Sequence, residues 1–90
     1  MSEYLTQELD LSPSDVVHVT LSGSESDVFL VDYSNLCSFR RGDRFSYFGG
    51  HFRASPVTLS APSRGRWHLV IQPIGNGSVR ASSRVIRNAA

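Results

Sequence analysis

Segment 39–53 interleaves guanidinium and aromatic groups: Phe39, Arg40, Arg41, Arg44, Phe45, Tyr47, Phe48, His51, Phe52 and Arg53, with Gly49 and Gly50 between them. Aromatic rings offer faces on which bases stack, and guanidinium forks match phosphate and carboxylate oxygens two at a time. The same residue types anchor protein interfaces, where Tyr and Arg carry a large share of the binding energy. Gly49 and Gly50 let backbone N–H groups approach an anion, although a turn requires glycines on its own account. A purely architectural role competes with all of these. A small sandwich must use its aromatics in the core, which would set Phe45, Tyr47 and Phe52 against a sheet with the arginines lying over them. The candidate binding residues are Arg40, Arg41, Arg44, Tyr47, Phe48, Gly49, Gly50, His51 and Arg53.

Catalytic chemistry finds little to work with elsewhere. His18, His51 and His68 are 33 and 17 positions apart, with no His-x-His or Cys-x-x-Cys pair, so no metal site is expected. Cys37 is the single thiol. Nothing in the local sequence orients a histidine beside it or supplies an oxyanion site, and a small residue filling the underside of a helical turn accounts for it. His18 and His68 fall on outward strand faces, where a solvated histidine is ordinary. Paired carboxylates, a phosphate loop and a nucleotide fingerprint are all missing. The chain is therefore expected to be no enzyme and to hold no cofactor.

The elements that position segment 39–53 follow from a periodicity of two. Val17, Val19 and Leu21 alternate with His18 and Thr20; Phe29, Val31 and Tyr33 form one face of the next run, with Val28 and Leu30 on the other. That second run is apolar on both faces, which predicts a central strand. Val57, Leu59 and Ala61 alternate after Pro56 until Pro62 stops them, and Trp67, Leu69 and Ile71 alternate with His68, Val70 and Gln72. Gly75-Asn76-Gly77 reads as a three-residue hairpin loop, pairing Trp67 with Val85, Leu69 with Ser83 and Ile71 with Ala81, so that His68 lies beside Arg84 and Gln72 beside Arg80 on the outside. With a run near 5–9 and a short aromatic run at 45–48, about seven strands are predicted. They are joined by turns at Ser12-Pro13-Ser14, Ser22-Gly23-Ser24, Gly49-Gly50 and Arg64-Gly65. Only 34–41 looks helical, with Ser34 as cap and Gly42 ending the helix in the left-handed conformation. Spacing of this kind predicts an all-β fold, an antiparallel β-sandwich with a small barrel as the alternative, in one domain over residues 1–90.

Charge is sorted along the chain. Residues 1–39 carry seven acids and no base, and residues 40–90 carry nine arginines and one acid, Asp43, which leaves a net charge of +1. In a sandwich the two halves lie side by side, so Asp15, Asp27 and Asp32 are expected to face Arg64, Arg66 or Arg84, and the surviving basic patch narrows to Arg40, Arg41, Arg44 and Arg53. Exclusive use of arginine suits bidentate ion pairing and equally fits codon bias in a GC-rich genome. No stretch approaches the roughly 18 apolar residues of a membrane span. The acidic start lacks a secretory h-region, and the single cysteine suits a reducing compartment, so a cytoplasmic location is expected.

Asp15-Val16-Val17 leading to Val19-Thr20-Leu21-Ser22-Gly23, then Asp32-Tyr33-Ser34-Asn35, Tyr47-Phe48-Gly49-Gly50, Ser55-Pro56-Val57 and Gly65-Arg66-Trp67-His68, resemble a small bacterial all-β family known only as a domain of unknown function. Its members are sometimes fused ahead of a TIR-like domain. The resemblance runs over about residues 4–86 and is most specific at Tyr-Phe-Gly-Gly followed by Ser-Pro. It implies a compact all-β accessory module without an assigned activity. This chain closes at Ala90 without a TIR-like partner, so a role beside such an effector is expected to act in trans.

The reading drawn from the residues is a non-enzymatic interaction module that self-associates or docks on a protein through segment 39–53. The alternative is recognition of an anionic ligand, a nucleotide, oligonucleotide or anionic sugar, by the same arginines. Nucleic acid is the less favoured partner of that set, and no membrane partner is expected.

Overall fold

Val28 and Leu30 point one way from their strand and Phe29 and Val31 the other, yet all four are buried, which requires cover on both faces of the sheet they belong to. The computed structural model, which describes residues 4–53, 55–74, 77 and 79–87, supplies that cover with a second sheet on one side and a helix on the other. Along the chain the elements are β1 (Leu5–Leu11), β2 (Val16–Gly23), β3 (Ser26–Val31), α1 (Tyr33–Arg41), β4 (Phe48–Phe52), β5 (Val57–Leu59), β6 (Gly65–Pro73) and β7 (Val79–Ile86). One antiparallel sheet has the order β1-β6-β3-β4 and the other β5-β2-β7. Neither closes on itself, so the protein is a β-sandwich rather than a barrel.

The main core lies between the sheets. Val28, Leu30, Trp67, Leu69 and Ile71 from the larger sheet meet Val17, Val19, Val57 and Leu59 from the smaller. A second, smaller cluster of Phe29, Val31 and Val70 on the far side of the larger sheet is capped by Leu36 of α1, with Tyr4, Phe39 and Phe45 at its margin. Burial of each such aliphatic or aromatic side chain contributes about 1.5–3 kcal/mol. The central place of β3 agrees with its two apolar faces, and β2 is central in its own sheet, between β5 and β7.

The last two strands do not form a hairpin pair. β6 is hydrogen-bonded to β1 on one side, with Trp67 opposite Leu9, and to β3 on the other, with Leu69 opposite Leu30. Both of its edges are thus occupied, and β7 crosses to the smaller sheet and pairs with β2, with Val85 opposite Val17 and Ser83 opposite Val19. Alternation fixes which face a side chain takes but says nothing about which strand lies alongside, and the expected pairing of Trp67 with Val85 fails for that reason. Arg84 lies opposite His18, and Gln72 lies opposite Asp27. The loop residues Gly75 and Asn76 lie outside the described residues. His68 does not face solvent: it is 8% exposed, on the helix-covered face, 6.1 Å from the Tyr33 ring.

Four local expectations also change. The strand expected over 45–48 runs from Phe48 to Phe52, and Gly49-Gly50 is no turn but lies within it, opposite Phe29 and Val28. Tyr33 does not continue β3, because the helix begins there. Its cap is Asp32, whose carboxylate accepts the Asn35 N–H at 2.9 Å, while Ser34 donates its hydroxyl to the same oxygen at 3.2 Å. Gly42 does end the helix, at φ 77 and ψ 16, with its N–H bonded to Phe39 O. The turn at Ser12 closes through the Asp15 N–H on Ser12 O at 2.9 Å.

Candidate functional site

Segment 39–53 spans the end of α1, a loop, and β4, and the helix cap at Gly42 turns the chain back across the larger sheet. Phe29 sits at the centre of an aromatic cluster there. Its ring lies 5.6 Å from Phe39, 5.6 Å from Phe45 and 5.4 Å from Tyr47, and Tyr4 closes on Phe39 edge-on at 5.0 Å. Edge-to-face and offset ring pairs of this kind add about 0.5–1.5 kcal/mol each beyond the area they bury. The architectural role of Phe45 is therefore real, and Phe52 likewise packs against the main core. Tyr47 and Phe48 differ. Each keeps much of its surface in solvent, 51% and 45%, although Tyr47 touches Phe29 and Phe48 stands edge-on to Trp67 at 5.8 Å.

The arginines divide between committed and uncommitted groups. Arg41 Nε donates to Asp43 at 2.9 Å and Arg53 Nε faces Glu25 at 3.3 Å. Arg40 Nε donates to the Tyr4 hydroxyl at 3.1 Å, while Arg44 has no hydrogen bond or ion pair among the described residues. His51 is held between Asp27 at 3.1 Å and Glu25 at 3.5 Å. These are exposed pairs in water, each worth about 0.2–1 kcal/mol, so they set side-chain direction more than stability. As a cradle for an anion the patch is weakened by its own carboxylates. Gly50 is an ordinary strand residue, and Gly49 serves β3, because a Cβ there would come within 2.2 Å of Val28 O. Neither lies in a turn-shaped N–H nest of the kind that cradles anions.

What segment 39–53 does present is a sheet edge. β4 ends the order β1-β6-β3-β4, so one side of its backbone has no strand beside it among the described residues. The glycines suggest a turn when read in sequence, and that reading conceals the edge. The available signal was the run Phe48, Gly49, Gly50, His51 and Phe52, with a large apolar ring at each end on the same strand face.

The charge split is matched in space only in part, and mostly through other pairs than expected. Asp15, 4% exposed, meets Arg87 at 2.5 Å and also accepts the Ser12 N–H at 2.9 Å. Arg66 faces Glu8 at 3.3 Å and Asp10 at 3.6 Å. Asp27 faces His51, and Asp32 caps the helix. An open depression of about 590 Å³ lies among Arg64, Arg66, Arg87 and Asp10, where two of the three guanidiniums are already matched by carboxylates. The Asn35 N–H, with Asn35 and Ser34 side-chain bonds and the nearby His68, holds the Asp32 carboxyl below its ordinary range against a smaller opposing effect of burial.

Among the described residues no three His, Cys, Asp or Glu side chains gather as a metal site would need, and no helix is long and apolar enough to cross a membrane. A family model described as a domain of unknown function, DUF1883, matches residues 3–89. No curated protein and no solved structure matches the chain.

Proposed function

The chain belongs to the DUF1883 domain family, and we propose that it is a non-enzymatic interaction module of the bacterial cytoplasm, docking on a protein or on itself through β4 and the loop before it. The observation that carries the reading is the open edge of β4, flanked by the half-exposed Tyr47 and Phe48. An unpaired strand edge binds an added strand through main-chain hydrogen bonds, and neighbouring side chains then select the partner. Arg44 is exposed in the loop before β4, whereas Arg40 bonds Tyr4 beside β1, at the other edge of the sheet; Tyr and Arg are the side chains that most often anchor such contacts. A small, free thiol at Cys37 suits a reducing compartment.

Recognition of an anionic ligand by the same arginines is less well supported, since Arg41 and Arg53 already face carboxylates. Light scattering at millimolar concentration, together with co-purification of wild type, Arg41→Glu and Tyr47→Ala, tests the proposal. A mass above the monomer, or a bound protein lost in the variants, supports it. A monomer at every concentration, with co-purifying proteins unchanged by both substitutions, refutes it. A thermal shift with nucleotides that fades from low to high salt would move the function to the anionic ligand instead.

A further inference from the structure

Among the described residues the sandwich has four edge strands, β1 and β4 in one sheet and β5 and β7 in the other. Three of them carry the features that stop edges from pairing with a copy of themselves. β1 bears Glu8 and Asp10, and β7 bears Arg80 and Arg84, so a second copy laid antiparallel would bring like charges together. β5 is three residues long, between Pro56 and Pro62. β4 has none of these guards: no proline, no inward charge, and two glycines at its centre.

Its sequence is also compatible with its own reverse. An antiparallel pair related by a two-fold axis at Gly50 sets Gly50 against the partner's Gly50, Gly49 against the partner's His51, and Phe48 against the partner's Phe52. Phe48 and Phe52 both lean toward the main core, so they fall on one face of the strand, where cross-strand aromatic pairs are favourable. The contact would cover the exposed part of the Phe48 ring. One step beyond the strand, Tyr47 meets the partner's Arg53, a ring with a guanidinium. No like charges oppose each other across the axis, because His51 faces a glycine and is already flanked by Asp27 and Glu25. We propose that the occupant of the β4 edge is a second copy of this chain, paired antiparallel about Gly50 so that two four-stranded sheets join into one of eight strands.

Such a sheet is within the usual range of up to about 10 strands. The five paired residues and their flanks fall short of the roughly 1,000 Å² that a lasting interface buries, so the dimer is a reversible one, filled at high protein concentration. The proposal rests on the docking role of β4 and names its partner.

Disulfide trapping tests the register. In a Cys37→Ser background, Gly50→Cys places the new thiols at directly opposite positions, with Cα atoms about 4.5–5.5 Å apart, inside the roughly 4.4–6.8 Å that a disulfide spans. A Cβ at Gly50 meets nothing within 4 Å, so the monomer accommodates it. Phe48→Cys puts its thiol four residues, about 14 Å along the strand, from its own copy. The expected result is covalent dimer from Gly50→Cys on mild oxidation and none from Phe48→Cys. Cross-linking of both to the same extent, or of neither while wild type scatters as a dimer, overturns the register but leaves a docking module. Wild type that stays monomeric while binding another protein overturns the second copy as partner. Wild type that is monomeric and binds nothing overturns both.

Discussion

Gly49 and Gly50 are adjacent, identical and expected from sequence to share one turn, yet the fold gives them opposite tolerances. At Gly49 the backbone has φ 151, and a Cβ would lie 2.2 Å from Val28 O, 2.6 Å from Phe29 Cα and 2.9 Å from Phe29 Cβ. Two of those three atoms are backbone of β3, which is buried and held by β6 on its other side, so they cannot yield without breaking a ladder. Overpacking in a well-filled interior costs about 1–3 kcal/mol, and a side chain held in an unfavourable backbone region costs about 1–3 kcal/mol more. Gly49→Ala should therefore destabilise by about 3 kcal/mol. For a domain of this size that corresponds to a fall in Tm of about 12–24 °C. At Gly50 nothing lies within 4 Å of the added methyl and φ is not positive. Gly50→Ala should be neutral or stabilise by about 0.4–1 kcal/mol, through lost freedom in the unfolded chain. Urea unfolding at low micromolar protein, followed by Trp67 fluorescence, measures both without interference from association. Equal losses in the two variants, or a Gly49→Ala protein within about 0.5 kcal/mol of wild type, a typical surface-substitution effect, would show that these glycines form a turn and that β4 does not press on β3 here.

Polar contacts give two more expected outcomes. Asp32→Ala should cost about 1 kcal/mol at pH 7 as a lost helix cap. Because hydrogen bonds hold the Asp32 carboxyl below its ordinary range, its contribution is present above the unfolded-chain value of about 3.9 and drains away as pH falls through the lower folded value. Asp32→Asn keeps the cap and should flatten stability against pH in that window; an unchanged acid limb, measured by urea unfolding from about pH 5 down to about pH 2, would contradict this. Arg87→Ala removes a charged partner from the buried Asp15 carboxylate, which keeps the Ser12 N–H, and should cost about 1.5–3 kcal/mol, whereas Arg41→Ala, an exposed pair, should change thermal stability by less than about 1 kcal/mol.

Layer architecture was legible because side-chain alternation in a strand is a local property. Val17 with Val19, and Val28 with Leu30, each declare a buried face within a few residues, and a strand apolar on both faces, such as β3, declares that it is central. The end of α1 was legible at Gly42 for the same local reason. The cap was displaced by two residues because Asp32 and Ser34 are both good capping types; which one is used depends on where the chain leaves β3. The aromatics Phe39, Phe45 and Tyr47 were visible as a group, and they do touch one another, but that Phe29 of β3 lies at their centre was not.

Residue types and their spacing were enough to establish the fold class, most buried faces and most turns. Which strands lie side by side had to await the folded chain, since strand pairing is a choice among distant segments that present similar faces. That choice separated β6 from β7 and matched Asp15 to Arg87, while α1 packing over the larger sheet buried His68. It also turned Gly49-Gly50 from a supposed turn into the open edge of a sheet, because only the finished strand order shows which strand has a neighbour on one side and none on the other.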